Sequence, residues 1–204
     1  MQSTPRGLIV FDMDGTLIPE ETASQSIGKE TGTLERVLSL EASYRANECS
    51  PNQFAQELHS LWAKHPGCYR RAYKNTVQLN DIPEAIASIH EHGFATCLIT
   101  MSPLAFAINF SDFEFVYGSL PPHTIIGPED KPIIAQNLAE SLKVPSEDIF
   151  AVGDSESDIP LFNKTTYSLA VNATKEIESL ATHTYTGNSL SQAVNAFLEI
   201  LEME

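Results

Sequence analysis

The chain is predicted to fold as an α/β protein, a doubly wound parallel sheet carrying a small all-helical insert, and three observations predict this. Continuous apolar runs recur along the sequence, amphipathic helical stripes separate most of them, and one long stretch after the first run carries helix signals only. Apolar runs that are continuous rather than alternating mark strands covered on both faces, the condition of a parallel sheet. Alternation of strand and helix then gives the doubly wound class, whose ligands sit beyond the carboxyl ends of the strands.

Leu8-Ile9-Val10-Phe11 opens the pattern and ends at Asp12. From Pro19 to about Gln78 no strand is legible. Leu34, Val37, Leu38 and Tyr44 are read as one helix face. Ser50-Pro51-Asn52-Gln53 is a helix start, with Ser as N-cap, Pro at the first position and Gln completing a capping box. Phe54, Leu58, Leu61 and Trp62 follow at helical spacing. This divides the chain into an α/β core of residues 1–19 and 79–204 and a helical unit of residues 20–78. The alternative is that these helices pack on the flank of the sheet as additional core. Ile82, Ile86 and Ile89 form a stripe closed by Gly93. Further strands are expected at Phe94 to Ile99, Phe113 to Tyr117, Ile149 to Val152 and Ser168 to Val171. Two more helices follow Ile134, Leu138 and Leu142, and Leu190, Val194, Phe197 and Leu201.

Charge narrows the function. The 204 residues hold 12 Lys and Arg against 27 Asp and Glu, a net charge of -15. A protein so acidic lacks the basic face needed to bind a nucleic-acid backbone or an anionic membrane. A small anionic substrate would need a local positive charge at its site. Cys49, Cys68 and Cys97 include no Cys-x-x-Cys pair and read as reduced thiols of a cytoplasmic protein. No apolar run approaches the roughly 20 residues of a membrane span, and the stretch from Met1 to Arg6 lacks a signal-peptide layout.

Chemistry gathers where the apolar runs end. Asp12-Met13-Asp14-Gly15-Thr16 follows the first run, and residues two apart on a strand share a face. The second run leads to Thr100-Met101-Ser102-Pro103, read as a helix start whose free N–H groups favour an anion. Gly153-Asp154-Ser155-Glu156-Ser157-Asp158 follows the fourth run. If this loop lies beside the first, up to four aspartates crowd one edge. Two like charges about 4 Å apart cost ~4 kcal/mol at an effective dielectric near 20, so the cluster demands protons or a cation. Oxygen ligands favour Mg²⁺ accompanied by a phosphate. Lys131, at the start of the Ile134 helix, supplies a positive charge. His90 and His92 diverge by about 200° on a helix and are not read as a metal pair. Trp62, Tyr69 and Tyr73 are read as packing residues rather than a substrate cage.

In this order, Asp12-x-Asp14-Gly15-Thr16, Thr100, Lys131 and Gly153-Asp154-x-x-x-Asp158 resemble the four motifs of the haloacid dehalogenase superfamily, across nearly the whole chain. The resemblance implies a Rossmann-like core with a small helical cap inserted between the first and second motifs, and a Mg²⁺-dependent phosphatase acting on a small phosphorylated molecule. It implies that Asp12 is the nucleophile forming an aspartyl-phosphate, and that Asp14 is the general acid and base. Thr100, with the N–H groups of Met101 and Ser102, would hold phosphoryl oxygens, and Lys131 would offset charge on Asp12 and the phosphate. Asp12, Asp154 and the Asp14 carbonyl would bind Mg²⁺, with Asp158 in support. Within the superfamily the chain is most similar to phosphoserine phosphatases, and Glu21 matches the cap glutamate that meets the substrate amine there. Two departures separate it from them: Thr100-Met101-Ser102-Pro103 replaces their Ser-Gly-Gly, and Leu61 stands near their cap arginine. The substrate and the oligomeric state stay open. A phosphomutase of the same superfamily and a non-catalytic phosphate-binding protein are the alternatives.

Overall fold

The structure is a computed structural model describing residues 4–202; Met1 to Ser3, part of the stretch read for a signal layout, lie outside the described residues. Strands β1 (Leu8–Phe11), β2 (Ala95–Pro103), β3 (Phe115–Ser119), β4 (Ile149–Gly153), β5 (Tyr167–Val171) and β6 (His183–Tyr185) form one sheet in the order β3-β2-β1-β4-β5-β6. Every neighbouring pair is parallel. The first five strands answer the apolar runs. β6 was not predicted: three residues at the sheet edge, none fully buried, leave no apolar run to read.

All four residues of β1 are buried and feed two cores. Leu8 and Val10 join one apolar cluster, Ile9 and Phe11 the other, as the two-residue side-chain period requires. Helix α7 (Asp130–Leu142) covers the first face through Ala135 and Leu138. Helices α5 (Ile82–Glu91) and α10 (Leu190–Glu202) cover the second through their predicted stripes. Three one-turn helices, Leu104–Ala107, Ile159–Phe162 and Lys175–Glu178, sit in the connections.

Between β1 and β2 lie four helices, α1 (Ala23–Thr31), α2 (Leu34–Arg45), α3 (Pro51–Trp62) and α4 (Cys68–Asn75). The capping box opens α3 as read: the Ser50 hydroxyl accepts from the Gln53 N–H at 3.2 Å, and Gln53 Oε1 accepts from the Ser50 N–H at 2.9 Å. The face of α2 differs from the expectation. Val37, Leu40 and Glu41 point inward, Tyr44 is half-buried, and Leu38 is 43% exposed. Positions 37, 40, 41 and 44 form an i, i+3, i+4, i+7 stripe, and the charge at Glu41 hid it. The helices are not isolated from the sheet: Ile27, Val37, Leu58, Trp62 and Ala72 belong to the same buried cluster as Ile9, Phe11 and Met13. Tyr73 of α4 meets Phe106 and Phe110 edge-on at ring separations of 5.9 and 5.0 Å.

Candidate active site

The order of strands creates the site. β1 pairs with β4 in the register Phe11↔Val152, and the Asp12 N–H continues the ladder to the Val152 carbonyl at 2.9 Å. The loops after β1 and β4 therefore leave the sheet side by side, at the point where the connections reverse direction. Gly15, at φ +84°, turns the first loop, and a Cβ there would overlap the Asp154 carboxylate. A Cβ at Gly153 would likewise overlap the Asp158 carboxylate. Two glycines thus give two aspartates their space.

Asp12, Asp154 and Asp158 offer ligand oxygens within 4.8 Å of one another, and Lys131 reaches into them. Its ammonium, 1% exposed, donates to Asp12 Oδ1 at 2.8 Å, Asp158 Oδ1 at 2.7 Å and Ser157 Oγ at 3.1 Å. Burial alone would lower its pKa, but Asp12 and Asp158 outweigh burial and hold it above its ordinary value. One cation does not balance the acids. Burial pushes Asp12 well above the carboxylate range, against the pull of Lys131 and with the push of Asp158, Asp154 and Asp14. Asp154 is pushed up to about 7, chiefly by burial, although Thr16 Oγ1 donates to its Oδ1 at 2.7 Å. Asp158 is already engaged, since its Oδ2 accepts the N–H groups of Asp154 at 3.0 Å and Ser155 at 3.2 Å. Oxygens without a hydrogen bond among the described residues remain on Asp12 and Asp154. An all-oxygen donor set with excess negative charge fits a hard divalent cation such as Mg²⁺.

The carboxylate of Asp14 stands apart from that cluster. Its Oδ1 accepts the N–H of Ala23, first residue of α1, at 2.5 Å, and its Oδ2 accepts from Ser102 Oγ at 2.6 Å and Thr100 Oγ1 at 3.4 Å. Burial raises its pKa in spite of these donors. Any share of Asp14 in holding a metal therefore falls to its main-chain carbonyl. The segment Thr100-Met101-Ser102 also departs from expectation. β2 runs on to Pro103 through a register shift against β3 between Ile99 and Pro103, so Ser102 lies in a bulged strand end rather than capping a helix. The helix that follows is one turn long. Thr100, fully buried, also accepts the Ser102 N–H at 3.0 Å.

Two cavities meet at Asp14. One, of about 460 Å³, is polar and is lined by Asp12, Asp14, Thr100, Met101, Asp154 and Ser157, with Glu21 at its wall. Glu21 is paired with Lys29 at 2.5 Å. The other, of about 230 Å³, lies between α2, α3 and the end of β2. It is lined by apolar and aromatic side chains, and Trp62 and Tyr69, read as packing residues, contribute to its wall. Glu41 and Thr22 also line it and were missed as site residues by sequence reasoning, as was Ser157 in the polar cavity. The helical stripe on α2 was the available signal for Glu41.

The family model of haloacid dehalogenase-like hydrolases matches residues 9–163. Over 80 residues the chain is 34% identical to Phosphoglycolate phosphatase 1 from Saccharolobus solfataricus; the match spans 39% of this chain and 35% of that relative. A phosphoserine phosphatase solved as a phospho-aspartyl intermediate analogue superposes with a TM-score of 0.76 at 18% identity, covering 94% of this chain and 99% of that one. A probable phosphoserine phosphatase from Vibrio cholerae gives 0.72 at 17% identity, covering 95% and 66%. At such identities the structural likeness concerns the fold. The extent of the family match, on a fold whose first and fourth loops converge, establishes that this chain belongs to the haloacid dehalogenase-like hydrolases.

Proposed function

We propose that the chain is a Mg²⁺-dependent phosphatase that hydrolyses a small-molecule phosphate monoester through an aspartyl-phosphate on Asp12. The observation that carries this reading is the convergence of Asp12, Asp154 and Asp158 on the buried Lys131. The related phosphatases noted above support it.

Lys131 fixes Asp12 Oδ1 and leaves Oδ2 to attack phosphorus. As that O–P bond forms, the bond from phosphorus to the alcohol oxygen breaks. Asp14, held at the junction of the two cavities with a raised pKa, gives its proton to the departing oxygen. It then takes a proton from the water that attacks the aspartyl-phosphate, and inorganic phosphate leaves with Asp12 restored. Thr100 and Met101, which line the polar cavity, face the phosphoryl oxygens. Asp12, Asp154 and the Asp14 carbonyl would hold Mg²⁺, and Asp158 would orient the loop that carries Asp154. Bound there, Mg²⁺ supplies positive charge to the transferring phosphoryl group. Residues 20–78 act as a cap, excluding water from the junction at Asp14 and choosing the alcohol.

Phosphate release from acetyl phosphate tests the reading. Turnover is expected with Mg²⁺ and not with EDTA, and Asp12→Asn is expected to lower it at least ~10³-fold with an unchanged circular dichroism spectrum. Retained turnover in that variant overturns the role of Asp12. Passage of the phosphoryl group to an added sugar instead of water would mark a mutase.

A further inference from the structure

On the phosphatase reading, the apolar cavity beyond Asp14 is where the alcohol half of the substrate lies, and its walls describe that alcohol. Tyr44 and Phe54 stack at 5.0 Å, Trp62 and Tyr69 meet edge-on at 6.1 Å, and Leu58 and Ile126 close the space. Its volume is about 230 Å³; a cavity of about 150 Å³ with comparable walls accommodates benzene. Several of the polar side chains along it are committed elsewhere. Ser102 donates to Asp14, and Ser119 donates to the Met101 carbonyl while accepting the Ile126 N–H. Arg45 and His59 are exposed, and Ser24 adds one small hydroxyl. A sugar, with a hydroxyl on nearly every carbon, would leave several of its polar groups unpaired against these walls.

One wall residue is different. Glu41 is 7% exposed, and its oxygens accept from Thr22 Oγ1 at 2.7 Å and Gln25 Nε2 at 2.7 Å. Both donors are neutral, and no basic side chain pairs with Glu41 among the described residues. A buried carboxylate ordinarily has a cationic partner, and each of its oxygens can accept a further bond.

We propose that the substrate is the phosphate monoester of a ring-bearing, apolar alcohol that also carries an amino group, the ring filling this cavity and the ammonium pairing with Glu41. The walls select the ring and Glu41 selects the amine; serine phosphate has the amine but no ring to fill the cavity.

The test uses the Mg²⁺-loaded enzyme and primary-alcohol esters of similar intrinsic reactivity: propyl phosphate, 3-phenylpropyl phosphate and phenylalaninol phosphate, with acetyl phosphate as a substrate too small to need the cavity. The ring is expected to raise kcat/KM at least about tenfold over propyl phosphate, the order set by burying a ring. The amine is expected to raise it several-fold more. Glu41→Gln should erase the gain from the amine, and Ala55→Phe, which fills the cavity from a half-buried position on α3, should erase the gain from the ring. Trp62 is the single tryptophan of the chain, so its fluorescence should change when Asp12→Asn protein binds phenylalaninol phosphate and not propyl phosphate. Equal kcat/KM for the propyl and phenylpropyl esters, or an amine preference surviving in Glu41→Gln, overturns the assignment. Failure to hydrolyse acetyl phosphate overturns the phosphatase reading itself.

Discussion

Asp154 is half-buried beside two other acids, and its pKa, pushed up to about 7, places the electrostatic conflict of the site at neutral pH. An unfolded aspartate titrates near 3.9, so between about pH 4 and 7 the folded chain keeps a proton that the unfolded chain has released. The resulting stability is complete below about pH 4 and disappears as pH rises through about 7. Asp12 and Asp14, also raised, act in the same direction. The melting temperature in EDTA should therefore fall between about pH 6 and pH 8, and on the proposed reading Mg²⁺, binding the ionised carboxylates, should raise it more at pH 8. A melting temperature that rises over this interval in EDTA, or a larger Mg²⁺ shift at pH 6, would contradict the pooled-charge account. At this scale the sequence was informative where spacing along one loop decides position. Asp12, Asp154 and Asp158 are such cases. It was silent on Glu41, whose hydrogen-bond partners Thr22 and Gln25 come from another helix. It also placed Thr100 beside Asp12 and Asp14 in the polar cavity, but not the local path of the chain that brings the Ser102 N–H onto its hydroxyl.

The end of β2 shows what pairing adds to an element. The residues Thr100-Met101-Ser102 read as a turn into a helix, because Ser before Pro is a common helix start. Pairing with β3 instead draws the strand through Pro103 and absorbs the extra residues as a bulge. Ser102 is thereby aimed at Asp14, where its hydrogen bond lowers a pKa that burial raises. Ser102→Ala should raise the pKa of Asp14 further and move the alkaline limb of the kcat profile, where the general acid loses its proton, to higher pH. A shift to lower pH would contradict this role for Ser102. The remaining elements were legible in proportion to their apolar content. Continuous runs gave five strands, and β6 escaped because a short edge strand needs only backbone pairing. The capping box at Ser50 was readable because all its partners lie within four residues.

Across the whole molecule, one strand order serves both stability and chemistry. The sheet places β1 between β2 and β4, so Asp12 is flanked by the Thr100 segment on one side and the Asp154 loop on the other. The continuous cluster from Ile9 to Trp62 ties the inserted helices to that edge and closes an apolar chamber against Asp14. On a chain of net charge -15, the proposed binding of an anionic group here needs Lys131 and a divalent cation to counter the field locally. On the proposed reading this pooled charge makes Asp12 the phosphoryl acceptor. The most direct test of that role is mass spectrometry of peptides from enzyme quenched in acid during turnover of acetyl phosphate. A phosphoryl group on Asp12, formed with Mg²⁺ and missing with EDTA, is the expected result; turnover with Asp12 unmodified and the phosphoryl group on another residue would overturn the role of Asp12.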